Sequence, residues 1–285
     1  MDVRVLRSPA VTRNPDVIER VRAPGEDNLA WIGRMVQEGR VETGPNWSLL
    51  LLVGGDDPLS FRLRVSQSHV RHDLSPSAWS HVAFVPKLAP MLAESRVREI
   101  SLAPASGFGK YGFAPPRNGL QDNRLGAYAA PPDYPNIAIL SAPVKAADVG
   151  ESLDRLAEQR SILDAPQLIL RWLGYCWGVG VPASPFTEGF GMPGAAILEA
   201  GFAAKGLDLT PGLESRSSCP EAIWQAAIWW HHFYERTTDR RVAMKGAYSA
   251  KHDLVPDERF RGSPAAAPAP AKARASVKRA GVKKR

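Results

Sequence analysis

The sequence predicts an α+β fold, a mainly antiparallel sheet packed against helices, and three observations lead there. Segments of strand length and strand periodicity fall between residues 47 and 140, whereas helical periodicity dominates after Pro143. The last 24 residues, from Gly262, hold no large apolar side chain. Such a segment cannot bury enough surface to offset the entropy of ordering, so a disordered tail is expected over 262–285.

Taken in order, Asn14-Pro15-Asp16 carries a cap residue, a first-turn proline and an acid, which predicts a short helix. A second helix is predicted from Asp27, with Leu29, Ile32, Met35 and Val36 at helical spacing, ending near Gly39 and Gly44-Pro45. Residues 1–46 thus read as an N-terminal helical segment, and 47–261 as one larger domain. Trp47–Val53 is an apolar run of strand length closed by the turn Gly54-Gly55-Asp56-Asp57-Pro58. Leu59, Phe61, Leu63 and Val65 alternate with polar residues and read as its neighbouring strand. Ser80–Val85 reads as a third strand, with His81, Ala83 and Val85 on one face and Ser80, Val82 and Phe84 on the other.

Val97–Leu102 and Asn136–Leu140 are further strands, separated by a Gly- and Pro-rich surface excursion over Pro104–Pro135. Helices are predicted over Ala146–Arg160, Leu163–Trp177 and Ala195–Ala204, with a fourth beginning at Cys219. They are expected to cover one side of the sheet.

Charge narrows the classes of partner. The chain has 36 Lys and Arg against 29 Asp and Glu, a net +7. Seven basic residues and no acidic one lie beyond residue 261 (Lys272, Arg274, Lys278, Arg279, Lys283, Lys284 and Arg285), so residues 1–261 hold 29 of each sign. The domain is formally neutral, and any nucleic-acid contact is expected to be weak, salt-sensitive and confined to the tail. No apolar run reaches the roughly 18 residues of a membrane-spanning helix. The first residues lack an apolar signal core, and two cysteines make no disulfide framework, which together point to the cytoplasm. No cofactor or metal is expected. His69 and His72 form an H-x-x-H without further ligands, and Gly107–Gly112 lacks phosphate-loop spacing. Cys176 and the aromatic run around His231 and His232 read as packing residues.

The segment with chemical potential is Arg216-Ser217-Ser218-Cys219-Pro220-Glu221. Ser218 and Glu221 have capping-box spacing and Pro220 suits the first turn, so Cys219 would open a helix whose dipole lowers the thiol pKa. His81 is the histidine set within a strand, where an imidazole is costly unless bonded or used. These residues resemble a family. Trp79-Ser80-His81-Val82-Ala83-Phe84-Val85 is similar to the histidine strand of the circularly permuted papain-like (NlpC-type) thiol hydrolases, and Ser218-Cys219-Pro220-Glu221 resembles their nucleophile helix start. Histidine precedes cysteine, as in the permuted members. Arg98-Glu99-Ile100 resembles the position of a polar residue that orients the imidazole, and Tyr134–Leu140 a later strand of that fold. Pro220 and the long Pro86–Ser95 connection depart from the pattern.

The resemblance implies a permuted papain-like fold and a cysteine amidase or peptidase in which Cys219 is the nucleophile, His81 the general base and Glu99 its orienter. The implied substrates are peptides, proteins or acyl groups. The alternative is a binding module tethered by its basic tail to nucleic acid or another acidic partner.

Overall fold

A computed structural model describes residues 13–102, 119–158, 165–178, 183–229 and 244–251. Among them seven strands form one mixed sheet in the order β1-β7-β6-β2-β3-β4-β5. Its centre is β2 (Ser48–Gly54), paired antiparallel with β3 (His81–Val85) and with β6 (Asn136–Ala142). Every residue of β2 and β6 is buried. That explains why Leu49–Val53 shows no alternation: both faces are covered. The short strands β4 (Arg96–Glu99) and β5 (Gln121–Arg124) extend the sheet beyond β3. On the other side lie β7 (Lys245–Ser249) and, parallel to it, β1 (Val17–Glu19). The α+β class holds, with antiparallel pairing everywhere except β1 with β7.

Residue parity sorts the core into two layers. Leu50, Leu52, Val82, Phe84, Ala138 and Leu140 point to one face. There they meet α3 (Ala146–Glu158), α5 (Pro193–Ala203) and α6 (Pro220–Trp229) through Val149, Leu153, Ile197, Leu198, Phe202, Ile223 and Ala227. Helix α4 (Ala165–Trp177) adds Leu168, Trp172 and Cys176 to the same layer. Leu49, Leu51, Val53, Ala83, Val85, Ile137 and Ile139 point the other way, onto Trp31, Ile32 and Met35 of α1 (Asn28–Gln37). Helices therefore cover both faces, not one. Each fully buried side chain of this size contributes about 1.5–3 kcal/mol over its exposed state, so the second layer is no minor addition.

Three local expectations are overturned. Asn14 does not cap a helix: its Oδ1 accepts the Asp16 N–H at 2.9 Å while Nδ2 donates to Ala227 O and Met244 O, a turn that feeds β1 into pairing with β7. The N-terminal segment is thereby part of the main sheet. The run from Leu59 to Val65 forms helix α2 (Pro58–Ser66), not a strand. Asp57 Oδ1 accepts the Leu59 and Ser60 N–H groups at 2.9 and 3.0 Å, Pro58 is the first helical residue, and Ser60, Leu63 and Arg64 are buried at helical spacing. A strong cap outweighed a weak alternation. Finally, the excursion before Pro135 holds β5 and a short 3-10 turn, Leu125–Tyr128, that carries Tyr128 into the core. The tail, Gly107–Gly112, His231 and His232 lie outside the described residues.

Candidate functional site

His81 opens β3 opposite Val53, and Phe84 on the same strand pairs with Arg98 of β4. That register sets Glu99 on the face shared with Ala83, diagonal to His81 and within reach of its ring. His81 Nε2 lies 2.9 Å from Glu99 Oε2. Tyr128 Oη donates to the same carboxylate oxygen at 2.5 Å, and Asn123 Nδ2 donates to Oε1 at 3.0 Å. The His81 ring also stacks on Tyr128, centroids 6.0 Å apart at 20°.

Glu99 is sealed from solvent, and burial alone would push its carboxyl up. The hydrogen bond and the charge of His81, with hydrogen bonds from Tyr128 and Asn123, outweigh that penalty and hold it below the usual carboxylate range. An ionised carboxylate only accepts, so Nε2 carries a ring proton, and in the neutral form of the ring the basic lone pair is on Nδ1. Among the described residues Nδ1 has no hydrogen-bond partner. Burial first, then the Glu99 charge, raise the Tyr128 phenol well above its ordinary value, keeping it a donor.

No protein-family model, curated protein or solved structure matches this chain.

Cys219 stands at the start of α6, where its Sγ accepts the Ala222 N–H at 3.4 Å, the bond of a helix cap. The expected Ser218–Glu221 capping box is absent: Ser218 Oγ is buried and has no partner among the described residues, and Glu221 turns elsewhere. Its Oε2 accepts from Ser77 Oγ at 2.6 Å, and Oε1 accepts from Gln225 Nε2 at 2.6 Å and Arg71 Nη1 at 3.2 Å. The thiol is wholly buried, and burial pushes it up to about 12 against the lowering effect of the Ala222 amide. The lowered thiol expected from the helix dipole is reversed in this conformation, because desolvation exceeds the end-of-helix field.

The structure brings His81 and Glu99 together but forms no hydrogen bond between Cys219 and His81. Cys219 packs in the layer with Val82 and Phe84, whereas His81, one residue from Val82, turns toward Tyr128 in the other layer. The segment Gly191–Gly194 runs from the chain just before Cys219 to the edge of His81. Gly191 N and Met192 N donate to Arg216 O and Ser218 O. Gly194 lies against the far side, where an added Cβ would stand 3.9 Å from His81 Cε1 and 3.0 Å from Ile100 O. Gly191 is so close to the chain before Cys219 that a Cβ there would fall 2.1 Å from Ser218 O.

The strand ends line a narrow pocket of about 50 Å3, to which His81, Tyr134, Asp57, Pro193 and Pro220 contribute. Pro220 brings the residue next to Cys219 into the same space as the imidazole. Tyr128, Asn123 and the Glu221 network have no local signal in the sequence, since nothing in the pattern marks an asparagine of a short edge strand or a tyrosine of a 3-10 turn as a carboxylate donor. Among the other candidates, His69 Nδ1 bonds Ser66 O at 3.0 Å and its ring tilts against Phe186. No group of three His, Cys, Asp or Glu among the described residues is placed to hold a metal ion. Cys176 is buried in the core, its thiol likewise pushed up to about 12 by burial. No helix among the described residues is long and apolar enough to cross a membrane.

Proposed function

We propose that the chain is a cysteine-dependent hydrolase of amides or esters, with His81 as general base and Cys219 as nucleophile. The observation that supports this most directly is the His81–Glu99 pair: an imidazole fixed through Nε2 by a buried, three-donor carboxylate, its Nδ1 unbonded at a pocket. In this reading the Gly191–Gly194 segment yields when substrate enters, and Nδ1 takes the Cys219 proton. The thiolate attacks the carbonyl, and the Cys219 N–H at the helix start holds the resulting oxyanion. Imidazolium returns the proton to the departing amine or alcohol. Water, deprotonated by His81, then cleaves the thioester and regenerates the thiol.

The complete burial of Cys219 favours a second reading, a ligand-binding domain tethered through its basic C-terminal residues to nucleic acid or another acidic partner. Both are tested with p-nitrophenyl acetate and acetylated peptide amides, following product release and the intact mass of acid-quenched enzyme. An acetyl adduct on the peptide containing Cys219, lost in Cys219→Ala and in His81→Ala, is the expected result. Turnover in Cys219→Ala equal to that of the natural chain would overturn the thiol reading.

A further inference from the structure

The pocket beside His81 has a chemical character of its own. Its ionisable lining consists of Asp57, His81, Tyr128 and Tyr134, with no lysine or arginine among the described lining residues. Asp57 commits Oδ1 to the α2 cap, where it accepts from Leu59 N and Ser60 N. Its other oxygen has no hydrogen bond or ion pair among the described residues. The basic side chains of α2 bond backbone carbonyls outside the lining: Arg62 donates to Cys176 O, and Arg64 to Ser77 O and Gly55 O. Behind His81 stands the Glu99 carboxylate. The Tyr134 phenol registers the same field, raised first by burial and then by the charges of Glu99 and Asp57. Leu59, Leu63, Ile100, Leu102 and Met192 supply apolar wall.

An apolar wall beside a carboxylate that has no ion-pair partner among the described residues suits a side chain with a methylene stem and a cationic head. We infer that this pocket is a subsite for a cationic group, an ammonium or guanidinium on a short aliphatic stem, and that Asp57 determines the preference. The inference rests on the pocket being the substrate site but not on the thiol chemistry.

Binding to the full chain carrying Cys219→Ala separates the two questions. Three probes, the Nα-acetyl methylamides of lysine, norleucine and glutamate, differ in the head group on a similar stem. The lysine probe should bind about fivefold more tightly than norleucine at low salt, and glutamate most weakly, with the lysine advantage shrinking as ionic strength rises. Asp57→Asn keeps the side-chain oxygen that caps α2, since asparagine caps as well as aspartate, and should abolish the lysine advantage while leaving norleucine binding unchanged. Equal binding of lysine and norleucine, an advantage that survives Asp57→Asn, or no binding of any probe would overturn the inference. Selective lysine binding combined with unaltered turnover in Cys219→Ala would instead uphold the subsite and overturn only the thiol reading.

Discussion

Gln67 Oε1 accepts the Glu221 N–H at 2.8 Å across 154 positions of chain. The same carboxamide donates through Nε2 to Trp79 O at 2.7 Å and Leu63 O at 2.9 Å, and the side chain is sealed from solvent. One residue after α2 therefore ties the start of the Cys219 helix to the chain that enters the His81 strand. Gln67→Ala deprives the buried Glu221 amide and the Trp79 carbonyl of this partner, while Leu63 O keeps its bond from Ser66 Oγ, at a cost of about 1–3 kcal/mol for each group left unsatisfied. A fall in urea-unfolding stability of about 2 kcal/mol or more is expected, and a change below about 0.5 kcal/mol would contradict the linkage.

Glu99 gives a pH signature with a definite sign. Its folded-state pKa lies below the ordinary carboxylate value, so the stability it contributes is present above that value and is lost as pH falls through the lowered one. Glu99→Gln cannot titrate. The stability gap between the natural chain and Glu99→Gln should therefore narrow on acidification below the usual carboxylate range; a gap constant with pH would show that Glu99 is not held ionised. In the hydrolase reading the same substitution removes the charge that stabilises the imidazolium, and kcat should drop by about 100-fold.

The two thiols behave in the opposite sense. Burial raises both Cys176 and Cys219 to about 12, so each contributes stability below the unfolded thiol pKa that is lost as pH rises toward the folded one. At pH 10 the penalty is on the order of 1 kcal/mol for each group. Chemical denaturation at pH 8 and pH 10 should show a larger loss for the natural chain than for the Cys176→Ala/Cys219→Ala double variant. Equal losses would mean that the thiols ionise freely in the fold.

Gly191 permits the close approach of its segment to the residues before Cys219. An alanine Cβ would meet Ser218 O at 2.1 Å and Ser217 C at 2.5 Å, and both are backbone atoms with no rotamer to escape into. Gly191→Ala should destabilise the fold by about 2–4 kcal/mol or displace the segment. Gly150→Ala, with nothing within 4 Å, is the matched control and should be near neutral or slightly stabilising through helix propensity. Similar melting temperatures for the two variants would refute the close packing.

Much of the framework was legible in residue order. The apolar run of β2, the alternation of β3 and the Asp27 cap of α1 each depend on neighbours within a few positions, and the structure forms them where local chemistry points. Alternation alone set His81 on the face opposite Val82. Where local signals conflicted, as at Leu59–Val65, the cap at Asp57 prevailed; where a distant strand competed, as at Val17–Glu19, pairing with β7 prevailed.

Of the candidate site, the sequence by itself determined the residue types, a histidine on a strand, an acid on a later strand and a cysteine beside a helix-starting proline. Tertiary structure decided how they meet. It placed Glu99 against His81 through the β3–β4 register, recruited Tyr128 and Asn123 from a stretch without periodic signal, and buried Cys219 in the opposite layer. The physical reason is range. Caps and alternation act over one to four residues, whereas the solvation of a thiol and the ionisation of a carboxylate depend on every atom within several ångströms, most of them contributed by distant chain.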